Sequence, residues 1–261
     1  MIVQVYEIQE PHEVAAVVET GVDHVGSVVT ASSAWRQPIL RSTVQEVQRT
    51  TAKSSLIPLF REPDAVYRTL DYYRPDIVHF CDLLDDTVFG ELLTLQEGVR
   101  QRFPEIDIMR SIPIVQRGRS NSARSLYYAG TLAPTSDWFL TDTLLVDASA
   151  DVTDQPEDGF VGITGKTCDW EIARQLVDAF DVPVILAGGL GPENVGEGIR
   201  TVRPAGVDSC TLTNAAGDDG RPIRFKKDLE AVARFVTESR RAAAEINLKT
   251  RGELPCTKPA T

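Results

Sequence analysis

The stretch VPVILAGGLGPENVGEGIRTVRPAGVD, residues 182–208, decides the fold of this chain. It opens with a short apolar run rich in β-branched residues, 184–187, which is typical of a buried parallel strand. The pair Gly188-Gly189 ends that run, a helix with Pro192 near its first turn follows, and residues 205–208 begin another strand. The stretch therefore predicts a βαβ unit, and its glycine turn at a helix N-terminus suits an anion such as phosphate.

The same alternation of apolar runs and helical patterns extends in both directions from this unit. The other predicted strands are 2–8, 22–29, 55–60, 76–81, 106–112, 143–147 and one that ends near Cys210. The predicted helices are 11–21, 42–51, 63–72, 87–103, 122–129, 169–180 and 226–247. Eight strands alternating with helices predict a single-domain α/β fold, the TIM (β/α)8 barrel, over residues 1–247, with a flexible tail over 248–261. An open doubly wound sheet is the alternative, although no GxGxxG follows the first strand.

Length, composition and charge are those of an ordinary soluble globular protein. The 261 residues fit one barrel of about 250 residues, and 42% hydrophobic with 25% charged residues are usual proportions. The net charge of −11 argues against a nucleic-acid partner, whose binding surface would be basic. No apolar run reaches the roughly 18 residues of a membrane span, and the N-terminus lacks a signal-peptide pattern, so we expect no membrane association.

The cysteines and histidines give no sign of a metal site. Cys81, Cys168, Cys210 and Cys256 lie far apart with no CxxC pair, and the three histidines lack metal-ligand spacing. We therefore expect free thiols in a reducing cytoplasm, no metal and no organic cofactor. The sequence is compatible with a monomer or a homodimer.

The turns after the sixth and seventh predicted strands are candidates to hold a phosphate. In a TIM barrel, functional residues lie at the C-terminal ends of the strands. Glycines there let backbone N–H groups approach an anion closely, whereas the alternative is that they only form turns. The phosphate-binding candidates, including the end of strand eight, are Gly162, Thr164, Gly165, Gly188, Gly189, Cys210 and Thr211.

Two motifs in this half of the chain resemble the phosphoribosylanthranilate isomerase family. They are GITGKTCDW, residues 162–170, and LAGGLGPENV, residues 186–195, which are similar to the family patterns GGTGxxFDW and LAGGLxPENV. Val207-Asp208 and Lys227-Asp228 continue the resemblance, and ETGVDHVG, residues 19–26, extends it weakly into the first half. The resemblance implies a TIM-barrel enzyme of tryptophan biosynthesis. Such an enzyme turns an aminoaldose phosphate into an aminoketose by an Amadori rearrangement, so we expect a phosphorylated sugar as substrate.

The resemblance also implies an acid and a base for this proton-transfer chemistry. The aspartate that ends strand six in the family corresponds to Asp147, the expected general acid, and Asp142 is its rival. The strand-one cysteine that serves the family as base is replaced by Tyr6, which Glu7 follows. Because tyrosine has an ordinary pKa near 10, it is a poor base at neutral pH. Glu7 is the expected substitute if burial raises its pKa, and Cys81 is the other alternative.

Four further residues are expected to bind the substrate. Arg36 resembles the basic residue that the family places near the substrate carboxylate, and Arg110 stands where the family often has lysine. His79 and Cys81 lie on the altered fourth strand. Each also has an ordinary structural interpretation, such as a solvated loop arginine or a buried histidine whose hydrogen bonds are satisfied.

Because strands one and four depart from the family pattern, two other functions stay open. One is a related phosphate-binding barrel with a different sugar-phosphate isomerase or lyase activity. The other is a non-catalytic protein that binds a phosphorylated metabolite.

Overall fold

Eight parallel strands form a closed barrel in the computed structural model, in the order β1 to β8. The structure describes residues 1–119, 122–146 and 157–252. The barrel strands are β1 Ile2–Val5, β2 His24–Val29, β3 Lys53–Pro58, β4 Ile77–Phe80, β5 Asp107–Val115, β6 Trp138–Leu144, β7 Val184–Leu186 and β8 Gly206–Ser209. Because β1 pairs with both β2 and β8, the cylinder has no open edge. The predicted TIM barrel is confirmed.

Helices surround the barrel. They are α1 Pro11–Glu19, α2 Pro38–Gln48, α3 Pro63–Tyr73, α4 Phe89–Arg102, α5 Ser122–Leu132, α6 Trp170–Ala179, α7 Val195–Val202 and α8 Leu229–Gly252. Proline occupies the first position of α1, α2 and α3, where its missing N–H costs nothing. No helix in the described part of the chain is both long and apolar enough to span a membrane.

Successive side chains along each strand point alternately to the core outside the barrel and to the barrel interior. On β1, Val3 and Val5 join an apolar cluster that includes Val232 of α8. The intervening Gln4 points inward, where its amide donates to the carboxyl of Asp208 at 3.1 Å. This inner face carries the polar side chains that can take part in chemistry.

The sixth strand differs most from its prediction. It runs over Trp138–Leu144 rather than 143–147, in register with β5 from Met109 to Val115. The polar residues Thr141 and Asp142 interrupt the apolar pattern, so the sequence hides the strand: Asp142 lines the cavity at the barrel mouth, and Thr141 is buried and accepts from Ala187 N. Asp147, the expected general acid, lies outside the described residues.

Smaller differences occur at the ends of two helices and in one loop. α2 begins at Pro38, ahead of the predicted start at Ser42. α8 begins at Leu229 and continues to Gly252, past the predicted end of the barrel. The polar segment after β8, where no strand is predicted, contains an antiparallel hairpin of β9 (Asn214–Ala216) and β10 (Pro222–Lys227).

Candidate active site

A cavity opens at the C-terminal ends of the barrel strands and encloses about 780 Å³, a volume that includes its open mouth. Its walls differ in chemistry. Strands β2 to β4 and the segment after β6 contribute an apolar wall, lined by Val28, Ile57, Leu59, Cys81 and Phe160. The turns after β6, β7 and β8 contribute a wall of glycine and threonine, lined by Gly162, Thr164, Gly165, Gly188, Gly189 and Thr211. A ligand with an apolar end and an anionic end would match both walls.

The two glycine turns lie against one another. The Thr143 hydroxyl donates to the carbonyl of Lys166 at 2.6 Å. Gly189 has a φ of 56°, and a Cβ built there would lie 2.5 Å from the Lys166 carbonyl carbon. The Asn194 side chain orders the second turn by accepting from Gly191 N at 2.9 Å and donating to Gly189 O at 2.8 Å. These positions therefore require glycine for close backbone approach, as well as for turning the chain.

Two carboxyl groups line the cavity between these walls, the half-buried Asp142 on β6 and the buried Asp208 on β8. Burial raises the pKa of each to about 7. The charge of Asp142 further raises the pKa of Asp208, while the hydrogen bond from Gln4 lowers it. Because the two groups interact, they titrate as a pair, and near neutral pH one can hold a proton while the other is ionised.

Tyr6 belongs to a buried hydrogen-bond network rather than to the acid–base pair. Its hydroxyl lies 2.6 Å from Ser55 Oγ and 2.8 Å from His79 Nδ1, and His79 Nε2 lies 2.8 Å from Ser111 Oγ. Burial raises the pKa of Tyr6 well above its ordinary value and lowers that of His79 to about 3. A neutral phenol and a neutral imidazole with satisfied partners are poor bases. The ring of Tyr6 fits because residue 26 is glycine, where a Cβ would lie 2.1 Å from it.

Glu7 is an ionised carboxylate held by the hairpin after β8. It accepts from Arg224 Nε at 2.7 Å, Asn214 Nδ2 at 2.8 Å and Phe225 N at 3.2 Å. Burial alone would raise the pKa of Glu7, but these hydrogen bonds lower it below its ordinary value. The condition on which Glu7 would serve as base, a pKa raised by burial, is therefore not met. Glu7 adopts a φ of 68°, a conformation that favours glycine, and its three hydrogen bonds offset that strain.

Arg224 also contacts a second carboxylate at the cavity. Its Nη1 donates to Glu157 Oε1 at 2.5 Å, and both Glu7 and Glu157 line the cavity. Lys227, on the same strand, donates to Cys210 O at 2.7 Å, Asn214 Oδ1 at 2.6 Å and Thr213 Oγ1 at 3.2 Å. These two cations therefore brace the hairpin against the barrel mouth.

Neither arginine expected to bind substrate lies at the cavity. Arg36 is exposed, with its Cζ 5.3 Å from the centre of the Tyr72 ring. Arg110 is fully buried on β5, where Nη1 donates to Asp82 at 3.0 Å and Nε to Gln96 at 2.8 Å. The carboxylate partner of Arg110 is thus Asp82, within the protein.

Cys81 and Cys210, the two cysteines among the expected site residues, line the cavity. Both are protonated thiols rather than thiolates. Burial raises the pKa of Cys81 well above its ordinary value, and burial does the same for Cys210. Neither is a thiolate at neutral pH, so Cys81 is a poor base and contributes to the apolar wall. Among the described residues, no group of three histidine, cysteine or acidic side chains is placed to hold a metal ion.

Two residues that line the cavity, Asp208 and Glu157, and Arg224, which bonds Glu157, were not among the predicted site residues. Asp208 stands in the Val207-Asp208 motif, and its position at the end of a strand was a usable signal. Arg224 and Glu157 carry no such signal, because they lie in a hairpin and a loop whose partners are distant in sequence.

The chain resembles known proteins over nearly its whole length. A family model for N-(5′-phosphoribosyl)anthranilate (PRA) isomerase matches residues 129–217. The N-(5′-phosphoribosyl)anthranilate isomerase of Haloferax volcanii is 32% identical over 248 residues, which cover 94% of this chain and 96% of that protein.

Solved structures with the same fold include phosphoribosyl anthranilate isomerase from Thermotoga maritima. It has a TM-score of 0.65 at 21% identity, covering 92% of this chain and 99% of that one. A phosphoribosyl anthranilate isomerase in complex with reduced 1-(o-carboxyphenylamino)-1-deoxyribulose 5-phosphate has a TM-score of 0.63 at 19% identity, covering 92% and 99%. At these identities the structures support the barrel fold alone.

Proposed function

We propose how this chain catalyses its reaction, given that it belongs to the N-(5′-phosphoribosyl)anthranilate isomerase family. Its 32% identity to the Haloferax volcanii enzyme over 94% of the chain establishes that membership. The chain is an isomerase of this family, which acts in tryptophan biosynthesis. Its substrate is N-(5′-phosphoribosyl)anthranilate, and its product is 1-(o-carboxyphenylamino)-1-deoxyribulose 5-phosphate. The observation that supports this proposal best is the pair of carboxyls with raised pKa, Asp142 and Asp208, between an apolar wall and a glycine-rich wall.

The two walls orient the substrate across the barrel mouth. The phosphate lies on the glycine turns at Gly165 and Gly188-Gly189, where backbone N–H groups are the donors. The aromatic ring packs on the opposite wall, against Val28 and Leu59. The ribose then lies between them, beside the two carboxyls, so binding at both ends positions the reacting carbons.

Asp142 acts as the general acid and Asp208 as the general base. Protonated Asp142 donates its proton to the ring oxygen of the ribose, and the C1′–O bond breaks as the amine nitrogen lone pair forms a C=N bond. Ionised Asp208 then removes the proton from C2′, and those electrons form a C1′=C2′ bond and neutralise the nitrogen. A pKa of about 7 on each group suits transfer in both directions near neutral pH.

Return of the protons completes the isomerisation. The proton held by Asp208 passes to C1′, and the C2′ hydroxyl proton passes to Asp142 as the C2′ carbonyl forms. Both carboxyls regain their starting states, so no oxidant, reductant or cofactor is consumed. Glu7, although ionised, is a weaker base than Asp208 because Arg224, Asn214 and Phe225 stabilise its charged form.

Substitution of each carboxyl tests these roles. We expect Asp142→Asn and Asp208→Asn each to lower kcat by roughly 10²- to 10⁴-fold, as loss of a general acid or base does. Asp178→Asn on the exposed face of α6 is the matched control and should leave kcat unchanged. The assay follows the change in fluorescence as the anthranilate adduct rearranges. Nearly full activity in Asp208→Asn together with a large loss in Glu7→Gln would move the base to Glu7.

A further inference from the structure

Three polar side chains form one row across neighbouring strands inside the barrel. Gln4 on β1 lies in register with Asp208 on β8 and with His24 on β2. Gln4 is fully buried, its Nε2 lies 3.1 Å from Asp208 Oδ1 and 3.7 Å from Met109 Sδ, and its Oε1 lies 3.1 Å from His24 Nδ1. Every polar atom of the Gln4 side chain therefore has a partner, which holds the amide in place.

The chemistry of its two polar partners fixes which way the Gln4 amide points. An ionised carboxylate only accepts hydrogen bonds, so the amide nitrogen must face Asp208 and the amide oxygen must face the ring of His24. His24 therefore donates from Nδ1. The row thus presents an N–H group to the ionised form of Asp208.

His24 takes part in this row as a neutral group. Burial, and then the charge of Lys53, lower the pKa of His24 to about 4. Three carboxylates act on the ring in the opposite direction: Asp23, Asp76 and Asp107. The ring centre also lies 5.5 Å from that of Trp138, at an interplanar angle of 85°. Near neutral pH the imidazole thus holds the amide without bringing a charge toward Asp208.

The mechanism needs the proton on Asp142 and the negative charge on Asp208. Burial raises the pKa of both groups to about 7, so burial does not decide which of them holds the proton. Asp142 accepts from the adjacent backbone N–H of Thr143 at 2.9 Å. Asp208 accepts from Gln4, and the charge of Lys227 on β10 also favours its ionised form.

The other titratable groups that act on Asp208 are neutral. They are Tyr6 on β1 and Cys210 after β8, and burial raises the pKa of each above its ordinary value. Neither group brings a charge that could separate the two carboxyls. The Gln4 amide is therefore the one neutral side chain in the described part of the chain with a hydrogen bond to Asp208.

We propose that Gln4 is a positioning residue that decides which of the two carboxyls acts as the base. By donating to Asp208, the Gln4 amide keeps that carboxyl ionised and leaves the shared proton on Asp142. His24 is a second positioning residue, which holds the amide in the orientation that this task requires. An amide suits the task because it stabilises the carboxylate without neutralising it, so Asp208 keeps the proton affinity of a base. This inference rests on the proposed function.

The pH dependence of kcat/KM tests the role of Gln4. The acid limb of this profile reports the ionisation of the base in the free enzyme. Gln4→Met removes the N–H donor and keeps a side chain of similar size, so we expect the acid limb to move up by about one pH unit. Because the proton then resides more often on Asp208, kcat at pH 7 should fall roughly 3- to 10-fold, less than in Asp208→Asn.

Two further variants separate this role from packing. His24→Phe keeps an aromatic ring beside Trp138 but removes the donor to Gln4, so the acid limb should move in the same direction by a smaller amount. Gln96→Met is the matched control, because it also removes the hydrogen bonds of a buried glutamine, which Gln96 makes on α4 with Arg110, Thr135 and Ser136. This variant should be less stable to heat but keep the acid limb in place.

Carboxyl carbon-13 NMR measures the order of ionisation directly, and it needs no substitution of Gln4. In the unsubstituted protein we expect Asp208 to ionise at lower pH than Asp142, and in Gln4→Met we expect that order to reverse or the gap to close. Asp142→Asn and Asp208→Asn assign the two resonances. A residue that only fills space would leave the order unchanged when it is replaced.

The outcomes distinguish this inference from the proposed function. If Asp142 ionises first in the unsubstituted protein, or if Gln4→Met changes neither the acid limb nor the order of ionisation, the inference is overturned, while an isomerase reaction at the same two carboxyls still stands. If the unsubstituted protein does not turn over N-(5′-phosphoribosyl)anthranilate, the proposed function fails. The NMR titration then still decides whether Gln4 directs the proton to Asp142.

Discussion

At Asp142, burial changes an ordinary carboxyl into a group that can donate a proton near neutral pH. The side chain lies under the turn at Gly162, where a Cβ would come 2.2 Å from its Oδ2. Glu7, also buried, shifts in the opposite direction because Arg224 and two further donors stabilise its charge. The partners of a carboxyl thus decide which chemistry it can perform, and burial alone does not.

The raised pKa of Asp142 predicts a pH-dependent stability cost. Because the folded pKa, about 7, exceeds the ordinary value of 3.8, the folded state holds the extra proton between these values. Its contribution is greatest at low pH, and the free energy of unfolding falls by up to about 1.4 kcal/mol per pH unit as the pH rises through this window. We expect Asp142→Asn to remove the contribution of Asp142 to this slope and to be more stable than the unsubstituted protein at pH 8. Asp208, whose pKa burial also raises to about 7, keeps a slope of the same sign in both proteins.

Chemical denaturation between pH 4 and 8 measures this effect. His79 and His24, whose pKa values burial lowers to about 3 and about 4, destabilise the protein as the pH falls, so they act in the opposite direction. The difference between Asp142→Asn and the unsubstituted protein cancels their contribution. A difference that does not change with pH would contradict the raised pKa.

The turn after β7 contains Gly189, a position that requires glycine, and it is part of the proposed phosphate site. We expect Gly189→Ala to destabilise the protein by about 1–3 kcal/mol, because its φ of 56° disfavours a side chain and the new methyl would meet the Lys166 backbone. The same change should weaken inhibition by inorganic phosphate, since the two glycine turns would move apart. Thermal unfolding and competition assays measure the two effects.

A glycine with open space around it provides the control for this element. Gly90, in α4, has no atom within 4 Å of a built Cβ, so Gly90→Ala should be neutral or stabilise the helix by up to about 1 kcal/mol. Unchanged phosphate inhibition in Gly189→Ala would show that the turn does not form the anion site.

The element boundaries show which sequence signals are dependable. Strands with uninterrupted apolar runs, such as β7, were predicted to within a few residues. β6 was misplaced because Thr141 and Asp142 break its pattern: Asp142 lines the cavity, and the buried Thr141 hydroxyl bonds the backbone of Ala187. The hairpin of β9 and β10 was missed, since its residues are polar and its strands pair only with each other. Apolar patterns thus fail to predict a strand whose residues are polar. This occurs where the residues serve the functional site, as in β6, or where two strands pair only with each other, as in the hairpin.

For the whole molecule, barrel closure predicts one cooperative unfolding transition. The three tryptophans report on different regions, because Trp35 packs with α3, Trp138 lies on β6 and Trp170 begins α6. We expect thermal unfolding followed by tryptophan fluorescence and by far-UV circular dichroism to have the same midpoint. Two separated midpoints would indicate independent units and contradict the single-domain prediction.

The alternation of strands and helices, which favoured a closed barrel over an open sheet, and the two glycine turns follow from the sequence alone, because apolar periodicity, glycine and proline act through neighbours in the chain. Only the tertiary structure decided which side chains meet at the barrel mouth. Glu7 and Arg224 lie 217 residues apart, and Gln4 and Asp208 lie 204 apart. The charge states of these groups, and the position of Arg36 away from the cavity, follow from contacts across the closed cylinder, which local patterns do not encode.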